Sequence, residues 1–161
     1  MDTSELADRV HALEALFRDI AGQRMADVPV LNRALRVEAV GFEPHALEPG
    51  LDAGATGILI TPWFMNLLRL PLRREDDSTR SGASRSLPVG RERFDFIGAF
   101  EPAIGTFEAC SLFSPMFDFR DHDAARAIAD AVLARLRAAP DGNEPARPAR
   151  RGFLFGRGGA R

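Results

Sequence analysis

The chain has 161 residues, 45% of them hydrophobic and 27% charged, a balance that suits one globular domain and excludes a disordered protein. A formal net charge of −2 gives no general attraction to nucleic acid or anionic lipid, and the single Cys110 excludes an intramolecular disulfide framework and fits a reducing compartment. All 21 basic residues are arginine and there is no lysine or tyrosine, which reads as genome-wide codon bias before function.

The first helix is expected from a cap at Thr3 or Ser4 to near Gly22. Leu6, Val10, Leu13, Phe17 and Ile20 recur at helical spacing, with Asp8, Arg9 and Arg18 elsewhere. The acids of this segment and its lack of an apolar run do not fit a secretory signal. Residues 28–32 read as a connector ending in a turn. A strand follows, with Leu35, Val37 and Ala39 on one side, Arg36 and Glu38 on the other, and Phe42 beyond a bulge at Gly41. Residues 44–57, "PHALEPGLDAGATG", carry the Pro and Gly of a loop.

Residues 57–72, "GILITPWFMNLLRLPL", are the most apolar part of the chain; only Thr61, Asn66 and Arg69 are polar. As a membrane span the run is about four residues short of the ~20 required. Pro62 and Pro71 divide it, and Arg69 is costly inside it. Ile58, Leu59 and Ile60, apolar on both faces, mark a central strand instead. Pro62 cannot donate to a ladder, so the chain turns there, and residues 65–70 form another strand or one helical turn. Residues 72–86, polar and mixed in charge, read as a surface loop.

"RFDFIGAF", with Phe94 and Phe96 alternating, and "GTFEACSL", with Phe107, Ala109 and Ser111 opposing Glu108, Cys110 and Leu112, predict an antiparallel hairpin turning through Pro102 and Gly105. Asp121 then caps a second helix in which Ala125, Ile128, Ala129, Val132 and Leu136 share a face. The order predicts an α+β fold: a single domain over residues 1–142, mostly antiparallel sheet covered by an N-terminal and a C-terminal amphipathic helix, with a mobile loop at about 73–86. Residues 143–161 form an Arg/Pro/Gly-rich tail.

Signatures of catalysis and metal binding do not emerge. His11, His45 and His122 are scattered, without Cys or His partners at ligand spacing. Asp76 with Asp77, and Asp121 with Asp123, read as a solvated loop and a helix start rather than acid–base pairs. Cys110, mid-strand, reads as a small core residue. The expectation is a protein that is not an enzyme and takes no cofactor or metal.

The informative residues follow Pro62. Strand alternation buries only some of Trp63, Phe64, Met65, Leu67 and Leu68 on one side, and each full burial is worth about 1.5–3 kcal/mol. Leaving several exposed implies a binding use, for which methionine and aromatic side chains are suited. Pro62 would set the direction of such a patch and Asn66 would hydrogen-bond a client backbone. The alternative covers both faces, one by helix and one by loop. In the tail, Arg150, Arg151, Phe153, Leu154, Phe155 and Arg157 of "ARRGFLFGR" are similar to the twin-arginine motif of Tat export signals, although their position excludes a role as an N-terminal signal. If this segment occupied the chain's own client site, ordering about eight residues would cost roughly 1–2 kcal/mol each. Its three apolar side chains return about 1.5–3 kcal/mol apiece, so docking also needs backbone hydrogen bonds or Arg–carboxylate pairs.

Taken in order and spacing, Ile60–Thr61–Pro62–Trp63, the Cys-Ser-Leu-x-Ser-Pro run from Cys110 to Pro115, and the ending from Arg150 to Arg157 resemble the HybE/HupJ family of [NiFe]-hydrogenase assembly chaperones. The resemblance spans helix one to the tail. It implies a small cytoplasmic accessory protein, not inserted in a membrane and not bound to nucleic acid. Its partner would be an immature hydrogenase large subunit, or a Tat-targeted small subunit precursor, together with other maturation proteins. Some members carry a rubredoxin-like Cys-x-x-Cys module; with one cysteine, this chain lacks it. Two rival roles are an assembly scaffold docking through the tail and a redox accessory protein acting through Cys110.

Overall fold

The apolar run splits at Pro62 into two antiparallel strands, and the rest of a six-stranded antiparallel sheet extends on either side of them. The computed structural model describes residues 3–25, 27–29, 31–44, 54–90 and 92–138. Its elements are α1 (Thr3–Gly22), β1 (Glu38–Pro44), β2 (Gly54–Ile60), β3 (Met65–Pro71), a 3₁₀ turn (Ser78–Arg80), β4 (Ser84–Val89), β5 (Glu92–Glu101), β6 (Gly105–Phe113) and α2 (His122–Arg137). The strand order is β1-β2-β3-β6-β5-β4, so β6 returns between β3 and β5 and the edges fall to β1 and β4.

The two helices lie on opposite faces. Leu13, Phe17 and Ile20 of α1 share an apolar cluster with Leu59, Leu68, Leu70 and Phe107. Ala125, Ala129, Val132, Leu133 and Leu136 of α2 share the other with Ile58, Ile60, Met65, Leu67, Phe94 and Phe96. The register Ile58↔Leu67 and Gly57↔Leu68 makes this division follow directly from strand alternation. All seven positions of β2 are buried, as its two-sided apolar sequence requires.

Local rules set the boundaries. β1 shifts register between Val40 and Glu43, and Gly41, at φ 64°, supplies the left-handed residue of that bulge. Asp121 caps α2, its side chain accepting from the Ala124 N–H at 2.9 Å.

Four expectations are corrected. Leu35 joins the α2-side cluster while Val37 and Ala39 face α1, because Leu35 lies before β1 in a turn closed by its N–H to the Asn32 carbonyl. Residues 54–56, expected in a loop, open β2, where Gly and Ala fit a fully buried strand. In α2, Ile128 is exposed and Leu133 takes its place on the core face. The segment expected as loop to residue 86 instead holds the 3₁₀ turn and the start of β4. There Ser84 and Ser86 alternate with Arg85 and Leu87, a polar edge-strand pattern that reads as loop. The domain limit at 142 and the tail 143–161 lie outside the described residues.

Candidate functional site

The chain between β2 and β3 is fixed by one hydroxyl. Thr61, fully buried, accepts at Oγ1 from the N–H groups of Trp63 (3.2 Å) and Phe64 (3.0 Å) and donates to the Phe64 carbonyl (3.2 Å). The Thr61 N–H donates to the same carbonyl at 2.8 Å. Pro62 leaves its own carbonyl to accept from the Asn32 N–H at 2.8 Å. The Asn32 side-chain amide donates in turn to the carbonyls of Met116 (2.9 Å) and Phe119 (2.7 Å). The Ser114 hydroxyl donates to the Trp63 carbonyl at 3.5 Å, and β3 pairs with β6 through Met65↔Phe113, Asn66↔Ser111 and Leu67↔Cys110. Two sequence motifs about fifty residues apart, at 60–63 and 110–115, are thus brought side by side at one end of the sheet.

Trp63 and Phe64 turn toward α1. Their rings meet edge-on at 5.4 Å, and Phe17 lies 6.4 Å from Trp63 and 5.8 Å from Phe64. Both are half-buried, as are Pro62 and Asn66. Met65, Leu67 and Leu68 are not available to a partner: each is 0% exposed. β3 is an inner strand with a helix on each face, so its alternating side chains are consumed by the two cores. The expected patch therefore contracts to Pro62, Trp63, Phe64 and Asn66.

The sheet extends that remnant sideways. On the α1 face, Asn66 pairs with Ser111 and Leu68 with Ala109, and Ala109 pairs across β6 with Ile97 of β5. Ile97 is 54% exposed and Ser111 is exposed, so α1 covers the β2–β3 side of this face and leaves the β5 side open. The Asn66 Oδ1 is buried with no hydrogen-bond partner among the described residues. An unpaired buried acceptor is costly. The resulting surface is small, apolar and edged with polar groups: Trp63, Phe64, Asn66, Ala109, Ser111 and Ile97.

Other titratable groups serve the framework. His122, buried, accepts at Nδ1 from the Arg36 N–H (3.2 Å) and donates from Nε2 to Glu38 (2.8 Å), tying α2 to β1. Cys110 is half-buried and packs toward the α2-side core, opposite Leu67. Asp76 pairs with Arg74, and Asp77 caps the 3₁₀ turn. At the far end of the β3–β6 ladder, Glu108 receives Arg85 in a two-bond fork (2.6 and 2.8 Å) and Arg69 at 3.2 Å, with Arg80 at 3.8 Å. Burial pushes the Glu108 carboxyl up; Arg85, Arg69 and Arg80 outweigh it and hold it below the ordinary carboxylate range. No group of three or more metal-ligating side chains occurs among the described residues, and no described helix is long and apolar enough to cross a membrane.

Sequence reasoning missed Asn32, Glu108 and Ile97. Ile97 carried a usable signal, since it falls on the opposite phase to Phe94 and Phe96 in an alternating strand. Asn32 carried none, because a lone asparagine in a connector does not reveal which distant carbonyls it serves. The tail residues Arg150, Arg151, Phe153, Leu154, Phe155 and Arg157 lie outside the described residues.

Residues 8–156 match the family described as [NiFe]-hydrogenase assembly, chaperone, HybE. The chain is 51% identical to Protein HoxT of Cupriavidus necator, over 93% of this chain and 89% of that one. It is 41% identical to the hydrogenase expression/formation protein HupJ of Bradyrhizobium diazoefficiens, over 89% and 85% of the two chains. The solution structure of HybE from Escherichia coli has the same fold, with a TM-score of 0.55 at 22% identity over 92% of this chain and 90% of that one. This chain belongs to the HybE family of [NiFe]-hydrogenase assembly chaperones.

Proposed function

We propose that this HybE-family protein acts in the cytoplasm, without catalysis, by holding an immature [NiFe]-hydrogenase subunit, either the large subunit or the Tat-targeted small subunit, until assembly is complete. An apolar segment of the client lies along the open part of the α1 face, against Trp63, Phe64 and Ile97, with Asn66 and Ser111 meeting its backbone. The observation that carries this reading is the stitching together of the 60–63 and 110–115 motifs around a half-exposed aromatic corner beside that uncovered face. Nothing comparable supports the redox rival, because Cys110 packs on the opposite, α2-side face.

A chaperone must release its client, and a small mixed surface suits a transient contact better than an obligate one. Pull-down of each subunit precursor with the wild type, Trp63→Ala and Ile97→Arg tests the reading. Loss of capture by both variants, with circular dichroism unchanged, is the expected outcome. Undiminished capture by both sinks it.

A further inference from the structure

We propose that the client segment seated on the open part of the α1 face is a helix lying beside α1, not a strand added to the sheet; this rests on the client reading above and names the form its client takes. The first observation is the state of the two sheet edges. At β1, the Ala39 N–H donates to the Glu14 Oε2 of α1 at 2.8 Å, the Arg36 N–H just before the strand donates to His122, and the Gly41 bulge breaks the run after Val40. At β4, the Arg93 guanidinium donates from Nη2 to the Ser86 carbonyl (3.0 Å) and from Nε to the Ser86 hydroxyl (3.2 Å), and Pro88 has no N–H to give. Charged side chains, a bulge and a proline are the devices that stop a strand edge from pairing. An incoming strand needs an unbroken run of backbone partners, and neither edge offers one among the described residues.

That leaves the face itself. Ile97 pairs with Ala109 on one side and Ser84 on the other, and Ala99 pairs with Phe107, so these side chains form one floor across β6, β5 and β4. The floor continues the packed α1 interface, because Phe107, Ala99 and Ala109 belong to the α1-side cluster. Its outer part sets Ile97 between the exposed Ser84 and the small Ala109. Neighbouring strands lie ~4.8 Å apart, so the seat from β6 to β4 is ~10 Å wide, which matches the ~10–12 Å diameter of a helix with its side chains. Small floor residues let such a helix approach closely. An extended segment laid flat on alanine and isoleucine would bury its own N–H and C=O groups without partners, whereas a helix bonds them internally. Only its terminal turn has backbone groups to spare, and there Ser111 and Asn66 meet it. Seated beside α1, it completes the cover of this side of the sheet.

The test uses the full chain and the subunit precursor that it captures. A benzophenone attached to a Ser84→Cys variant in a Cys110→Ala background should crosslink to one stretch of the precursor and so locate the seated segment. Proline introduced at the centre of that stretch should lower capture at least tenfold. A synthetic peptide of the same stretch, mixed with the chain, should show strong sequential amide–amide and α(i)–amide(i+3) transferred NOEs. A smaller effect of proline, the transferred NOEs of an extended chain, or a captured precursor without any crosslink overturns the proposal. Failure here is separable from failure of the client reading. Capture that is lost with Ile97→Arg but insensitive to proline leaves the client reading standing without the helix. No capture of either precursor by the wild type overturns the client reading itself.

Discussion

The backbone N–H of Asn32 donates to the carbonyl of Pro62 at 2.8 Å, and this bond ties the β2–β3 turn to the connector that precedes β1. The same residue's side-chain amide holds the carbonyls of Met116 and Phe119. Replacing Asn32 by alanine removes these two bonds and the one its Oδ1 accepts from the Ala34 N–H (3.0 Å), and leaves two carbonyls underserved. The expected loss is about 1–3 kcal/mol, seen as a lower urea midpoint at unchanged slope. Asn32→Asp should be worse than alanine, since a carboxylate would face two carbonyl oxygens.

Glu108 makes stability acid-sensitive. Its folded carboxyl titrates below the unfolded value of ~4.3, so its contribution is fully present above that pH and is lost as pH falls through the lower folded value. Glu108→Gln leaves Arg69, Arg80 and Arg85 around a neutral group and should cost about 3 kcal/mol at neutral pH. Urea midpoints measured from pH 6 down to pH 3 should fall more steeply for the wild type than for the variant. Parallel curves would show that the cluster is energetically silent.

Gly57 is expected to resist even the smallest side chain. A Cβ there would lie 2.4 Å from the Phe42 ring and 2.9 Å from the Phe42 Cα, and the latter is backbone that cannot swing aside. Gly57→Ala should destabilise by about 1–3 kcal/mol, read as a drop in melting temperature. Combining it with Phe42→Ala should recover little, because the backbone contact persists.

Ile97→Arg separates binding from folding. The side chain is 54% exposed, so stability should stay within about 0.5 kcal/mol of wild type. Subunit capture should fall nonetheless. A variant that loses both would mark Ile97 as a packing residue.

The sequence made α2, its Asp121 cap, the Gly41 bulge and the β5–β6 hairpin legible because each is written in local chemistry: a capping carboxylate, a left-handed glycine, a two-residue alternation. β4 escaped because its outward serines and Pro88 resemble a loop when the neighbour at its side is unknown. The patch was only partly legible. Hydrophobic size alone marks Met65, Leu67 and Leu68 as needing cover, and only the placement of a helix on each face decides that they receive it. Trp63 and Phe64 escape full burial because they precede the strand, in the turn fixed by Thr61.

The unequal dressing of the sheet separates two evolutionary tasks. On the α2 face nearly every side chain answers to the interior, and substitutions there are screened first by whether the protein folds. The open quarter beside Ile97 and Ser111 is free of that screen. Under the client reading proposed above, a lineage retunes recognition by editing a few outward positions, following drift in its client without renegotiating its own architecture.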